Sequence, residues 1–66
     1  MVYRLSTEVY TRDAVANGVA AFAHLCTAQM CDEIDYTLLT LDGGEQWLHA
    51  ELLNYILGLS AKDLLQ

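Results

Sequence analysis

The sequence predicts a small α+β domain of the order β-α-β-β-α, an antiparallel sheet with two helices packed on one face. Three observations predict this fold: an alternating stretch near the start, two stretches with helical periodicity, and a glycine pair before the last helix. Residues 1–66 are expected to form a single domain. A chain of this length buries only about 60% of the surface that its unfolded form exposes. The core should therefore be thin, and a partner or a second copy would supplement it.

The first strand and the first helix are predicted from two different periodicities. Tyr3 and Leu5 alternate with polar residues in "VYRLS", which predicts a half-buried strand over 2–6. Thr11 is placed to cap a helix over 12–27. The face of this helix that packs on the sheet is predicted to be Val15, Val19, Phe22 and Cys26. His24 lies on the opposite side and is expected to face solvent.

A hairpin is predicted for residues 28–41, with its turn at Asp32 and Glu33. Alternation resumes at Ile34 and predicts the second strand of the hairpin, although one long strand is the alternative. The nearby acids, with Asp35, are expected to be solvated turn residues. Because apolar residues occupy both registers near Leu41, both faces of the end of this strand are expected to be covered.

The last helix is predicted to start near 43–45. Gly43 and Gly44 interrupt the strand pattern, and Asp42 with Glu45 three positions later resembles a capping box. Its core face is predicted to be Leu48, Leu52, Tyr55, Ile56 and Leu59. Gly58 leaves two continuations open: the helix ends there and Ser60 caps a short last turn, or the helix continues.

A second apolar stripe on this helix has no obvious cover in so small a domain. Ala50, Leu53 and Leu57 lie about half a turn from the core face, with Trp47 at their border. Contiguous exposed apolar residues often mark interaction sites. We therefore predict that Trp47, Ala50, Leu53 and Leu57 bind a partner or a second copy of the chain. The alternative is that the C-terminal tail covers the two leucines within the monomer.

Composition favours some partners and disfavours others. Three Lys or Arg residues against nine Asp or Glu residues give a formal charge of −6. Such a chain suits a basic protein or peptide better than nucleic acid, whose phosphates require clustered positive charge. The sequence has neither a signal-peptide pattern nor an apolar run of about 20 residues, so we expect no membrane association and a cytoplasmic location. In that reducing compartment the two cysteines are expected to be buried thiols.

No pattern predicts catalysis, a metal or a cofactor. His24, Cys26, Cys31 and His49 are residue types that bind zinc, but His24 and Cys26 would point about 160° apart on one helix. Neither cysteine is placed against a base. The two glycines lack the following lysine of a phosphate loop. We expect Cys26 in the core, Cys31 in a strand, and both histidines in solvent.

Two segments resemble a known family. "YTRDAVANGVAAF" and "LLNYILGLSAK" are similar to the small HxsD-like proteins of His-Xaa-Ser peptide systems. Tyr10, Ala14 and Val15 match the early part of the family pattern and Asn54 matches its Asn. The chain departs from the pattern at the three remaining positions: Leu52 replaces an aromatic residue, Gly58 an Asp and Lys62 an Arg.

The resemblance implies an accessory protein that acts beside a radical SAM maturase by binding, without catalysis. It adds Asn54 and Lys62 to the predicted partner-binding residues, although the loss of the Asp at Gly58 removes a charge that could pair with Lys62. A second hypothesis is a small homodimeric regulatory or inhibitory protein of a mobile element. A third, a metal or redox protein, requires bound metal or a reactive thiol.

Overall fold

The computed structural model describes residues 1–65 and has the predicted order of elements. These are β1 Val2–Ser6, α1 Arg12–Ala21, β2 Thr27–Asp32, β3 Tyr36–Asp42 and α2 Gln46–Leu64. The strands form one sheet in the order β1-β3-β2, and both pairings are antiparallel. Helix and sheet residues share one hydrophobic core, so the α+β prediction is confirmed. Within the described residues, neither helix combines the length and hydropathy needed to cross a membrane.

The central strand β3 buries one face and leaves the other open. Thr37, Leu39 and Leu41 are buried on the face that the helices cover. Leu38 lies on the opposite face between its paired neighbours Arg4 and Cys31, which are both exposed. Towards the end of the strand the outer face carries half-buried Thr40 and exposed Asp42, so the expectation that both faces of this end are covered is wrong. Leucines occur on both faces of β3 because Leu39 and Leu41 fill the core while the open outer face tolerates the half-buried Leu38.

The predicted hairpin is formed by β2 and β3, but its turn lies at 33–35. Asp32 still pairs with Thr37, so it belongs to β2 and not to the turn. Ile34 is 91% exposed and precedes β3, which begins only at Tyr36. The alternation that starts at Ile34 therefore placed the start of this strand two residues too early.

Helix α1 is shorter than predicted. Its start is as expected, since the Thr11 hydroxyl accepts a hydrogen bond from the Ala14 amide at 3.2 Å. The helix ends at Ala21, and the amides of Leu25 and Cys26 then donate to the Phe22 carbonyl in a tight turn. Pairing with β3 assigns the next residue, 27, to β2. Helical periodicity alone assigned Thr27 to α1, but its pairing with Asp42 places it in β2. Cys26 is buried as predicted.

Helix α2 runs from Gln46 to Leu64 and continues through Gly58. Its N-cap is Glu45, whose side chain makes no capping hydrogen bond, so the predicted capping box is wrong. Asp42 still belongs to β3, and the intervening Gly43 and Gly44 both take positive φ values, 80° and 76°. This left-handed pair suits glycine and turns the chain from the sheet into the helix.

The two helices meet closely at Gly18. A Cβ atom at this position would lie 2.5 Å from Cγ1 of Ile56, which is fully buried. Leu48 and Leu52 also occupy the core, as predicted. Tyr55 does not: it is 43% exposed, and its ring meets Phe22 edge-on at a centroid distance of 5.7 Å. It lies at the border of the core face because α1, and not the sheet, is its neighbour.

Candidate partner-binding surface

Helix α2 exposes an uncharged face on the side away from the core, here called the α2 outer face. Its large apolar members are exposed: Trp47 by 65%, Leu57 by 41% and Leu64 by 58%. Smaller residues complete the surface between them. The α2 outer face comprises Trp47, Ala50, Leu53, Asn54, Leu57, Gly58, Ala61 and Leu64. None of these side chains carries a charge.

The helical repeat explains why α2 has two apolar faces. Residues that recur every three or four positions line one side of a helix, and Leu52, Ile56 and Ser60 do so against the core. The α2 outer face follows the same spacing on the other side of the axis. Because the helix continues past Gly58, Ala61 and Leu64 extend this face by a further turn.

The predicted partner-binding residues lie together on α2, with differences in exposure. Five of the six are exposed: Trp47, Ala50, Asn54, Leu57 and Lys62. Leu53 is half-buried and packs against the core, so it forms one border of the surface. Lys62 is exposed and lies on the opposite border, beyond the uncharged residues.

The C-terminal end of the chain does not cover the leucine stripe within the described residues. Leu64 and Leu65 are 58% and 87% exposed, so neither folds back onto the domain. The helix carries them away from Leu53 and Leu57 because it continues through Gly58. The alternative in which the tail closes the stripe within the monomer is therefore wrong for residues 1–65.

His49 is part of the structural framework, and the expectation that it faces solvent is wrong. It is only 6% exposed, and Nε2 lies 2.9 Å from the Gly43 carbonyl oxygen. A carbonyl can only accept, so Nε2 carries the proton and donates it. Nδ1 is then free to accept from the Tyr3 hydroxyl, 3.5 Å away. A sequence signal existed, because positions 49, 52, 56 and 60 share helical spacing. His24, in contrast, is exposed as expected.

Cys31 is exposed, so its assignment as a buried thiol is also wrong. Its side chain points to the outer face of β2, where the Sγ atom lies 3.7 Å from a carboxylate oxygen of Glu33. Cys26, in contrast, is buried. Across residues 1–65 no three His, Cys, Asp or Glu side chains group closely enough to hold a metal ion.

The acidic turn between β2 and β3 is held by Arg12. The Arg12 Nε atom lies 3.7 Å from an Asp32 carboxylate oxygen, and the guanidinium donates to the carbonyls of Glu33 and Ile34. About half of each charged side chain of the ion pair is exposed. The pair therefore adds little stability by charge alone. The contacts of Arg12 instead fix the position of the turn relative to the start of α1.

Comparison of the chain with protein-family models, with curated proteins and with solved structures gives no match. The candidate surface is therefore interpreted from its own residues.

Proposed function

We propose that the protein is a non-catalytic binding module that docks a protein or peptide partner on the α2 outer face. The observation that supports this most directly is the exposure of Trp47, Leu57 and Leu64 on one uncharged helix face. Burying a large apolar side chain contributes about 1.5–3 kcal/mol. Trp47 has the size and rigidity of the aromatic anchors that often dominate binding energy.

Charge complementarity favours a basic partner. The chain carries a formal charge of −6, and Glu45 and Glu51 are exposed beside the α2 outer face. A partner that presents an apolar face rimmed with Lys or Arg would bury its apolar residues against α2 and keep its charges near these carboxylates. Complementary charge also accelerates encounter between two proteins.

The family resemblance refines this proposal. Under it, the module is an HxsD-like accessory protein of a peptide-modification system, and its partner is the radical SAM maturase or the peptide that the maturase modifies. Asn54 supports this version, because it matches the family pattern and lies exposed in the middle of the α2 outer face. We expect the module to act in the cytoplasm.

Site-specific photo-crosslinking in the native cell tests the proposal. A benzophenone amino acid replaces Leu57 in one protein and Ala20, an exposed residue of α1, in a matched control. We expect position 57 to crosslink one basic protein or peptide that position 20 does not capture. Adding Trp47→Asp to the position-57 protein should abolish the crosslink, because it removes the aromatic anchor and places a charge on the apolar face. Identical products from both positions would contradict the proposal.

A homodimeric regulatory protein is the second candidate function. The same uncharged face supports it, because two copies could bury their exposed apolar residues against each other there. Light scattering over a dilution series separates the two candidates. A dimer that persists on dilution and becomes a monomer in Leu57→Asp favours self-association, whereas a monomer at all concentrations favours a different partner.

A further inference from the structure

Strand β2 forms one of the two edges of the sheet, since the strand order is β1-β3-β2. Its register with β3 shows which backbone groups it leaves unpaired. The Glu33 amide donates to the Tyr36 carbonyl at 2.9 Å, so this is a hydrogen-bonded pair. Hydrogen-bonded pairs alternate with non-hydrogen-bonded pairs along an antiparallel ladder. Thr27, Gln29 and Cys31 therefore bond to β3.

The backbone groups of Ala28, Met30 and Asp32 consequently point away from the sheet. The other side of β3 follows the same alternation: Met1 and Leu41 exchange two backbone hydrogen bonds of 2.8 Å. Within residues 1–65, no backbone or side-chain hydrogen bond reaches the amides or carbonyls of Ala28 and Met30 from outside the sheet. This part of β2 is an open template for another strand.

The β2 edge lacks the features that usually block such pairing. Proteins protect edge strands with lysine, proline or bulges. Residues 27–31 contain no charge and no proline. The edge of β1 is different, because it carries Arg4 and because the Ser6 carbonyl already accepts from the amides of Val9 and Tyr10. β2 is thus the edge with fewer features that block pairing.

Acidic side chains flank the β2 edge at both ends. Glu33 is exposed beside Cys31, and Asp42 is exposed opposite Thr27. Asp32 lies on the inner side with Arg12. We propose that β2 binds an extended basic peptide segment, which adds to the sheet as a fourth strand. Main-chain hydrogen bonds to residues 28 and 30 supply affinity, and Lys or Arg side chains near the two ends supply specificity.

A second copy of the chain fits this edge less well. Two six-residue strands meeting side by side bury much less than the roughly 1,200 Å² at the lower limit of stable interfaces. Each copy also brings a formal charge of −6. A short basic peptide avoids the charge repulsion because its charge is opposite, and a contact this small suits a weak, transient complex. The β2 edge and the α2 outer face lie on different elements and share no residue, so each can be altered by substitution without changing the other.

Amide hydrogen exchange followed by NMR tests this proposal with a defined probe, the hexapeptide acetyl-VKVKVK-amide. We expect saturating peptide to slow exchange at Ala28 and Met30 by at least about tenfold, because their amides become hydrogen-bonded. Val2 and Arg4, which point outward from β1, are the internal control and should not change. Equal slowing at both edges, or none at millimolar peptide, would overturn the proposal.

Two further comparisons separate strand addition from simple charge attraction. A peptide N-methylated at every residue keeps its charge, but its methyl groups block close approach to the strand and it has no main-chain N–H to donate to the Ala28 and Met30 carbonyls. It therefore cannot pair as a strand and should not slow exchange at Ala28; the same slowing would refute strand addition. Gln29 is exposed, which makes Gln29→Lys and Gln29→Glu a matched pair. The first should weaken binding of the basic peptide several-fold and the second should strengthen it. Leu57→Asp, which alters only the α2 outer face, should leave binding of the basic peptide at β2 unchanged. The proposal for the α2 outer face and the proposal for the β2 edge can therefore be refuted separately.

Discussion

Replacing Gly58 by alanine should stabilise the protein, because α2 continues through this position. Gly58 is not among the glycines with positive φ, and a Cβ atom there would meet no heavy atom within 4 Å. Alanine in a helix interior is favoured over glycine by about 0.5–1 kcal/mol. For a domain of this size each kcal/mol shifts Tm by about 4–8 °C. We therefore expect Gly58→Ala to raise Tm by about 2–8 °C.

Gly18→Ala is the matched control, since it carries the same helix preference but lacks space. The new Cβ would lie 2.5 Å from Cγ1 and 3.1 Å from Cδ1 of Ile56, and 3.2 Å from Cδ1 of Leu52. Both neighbours are fully buried and cannot move into solvent. Overpacking of this kind costs about 1–3 kcal/mol, which offsets or exceeds the helix gain. We expect Gly18→Ala to be less stable than Gly58→Ala by about 1–3 kcal/mol.

Thermal unfolding by circular dichroism, with urea titration at about 25 °C, measures both changes. A loss of stability in Gly58→Ala would refute the reasoning, because it would mean that the helix ends there in a left-handed conformation. Equal stabilisation by the two substitutions would refute the close contact between α1 and α2. The two results are independent, so each structural claim is tested separately.

Two other predictions concern buried contacts of α2. Ser60→Ala should cost about 1–3 kcal/mol, because the Thr11 amide donates to the Ser60 hydroxyl at 3.0 Å and would lose its acceptor; urea titration measures this, and an unchanged midpoint would contradict it. Leu52→Ala should cost about 2–5 kcal/mol, since this side chain is fully buried. Leu57→Ala, on the exposed side of the same helix, should change stability by at most about 0.5 kcal/mol. Similar losses in the two leucine variants would place Leu57 in the core.

If both proposed surfaces bind partners, they recognise them by different interactions. The α2 outer face offers apolar area and an aromatic anchor, whereas the β2 edge offers backbone hydrogen bonds beside carboxylates. A maturase could occupy the first while a basic peptide segment occupies the second. Under this proposal the module would hold enzyme and substrate near one another, and binding at one surface would raise the effective concentration at the other.

The sequence by itself determined the order of elements and most of the core. Alternation located β1, the Thr11 cap located the start of α1, and the glycine pair located the change from sheet to helix. These signals are local, because they reflect the repeat of each backbone conformation and the residues that can begin or end it. The uncharged stripe around Ala50 and Leu57 was visible for the same reason.

Only the tertiary structure decided where neighbouring elements compete for the same residues. Helix α1 ends at Ala21, earlier than its periodicity predicts, and Thr27 belongs to β2 because it pairs with Asp42 of β3. The positions of α1 and of the Gly43 turn buried His49 and left Tyr55 at the border. Which backbone groups of β2 remain open depends on its register and its place at the edge. Burial and pairing depend on which element lies opposite, and local periodicity carries no information about that.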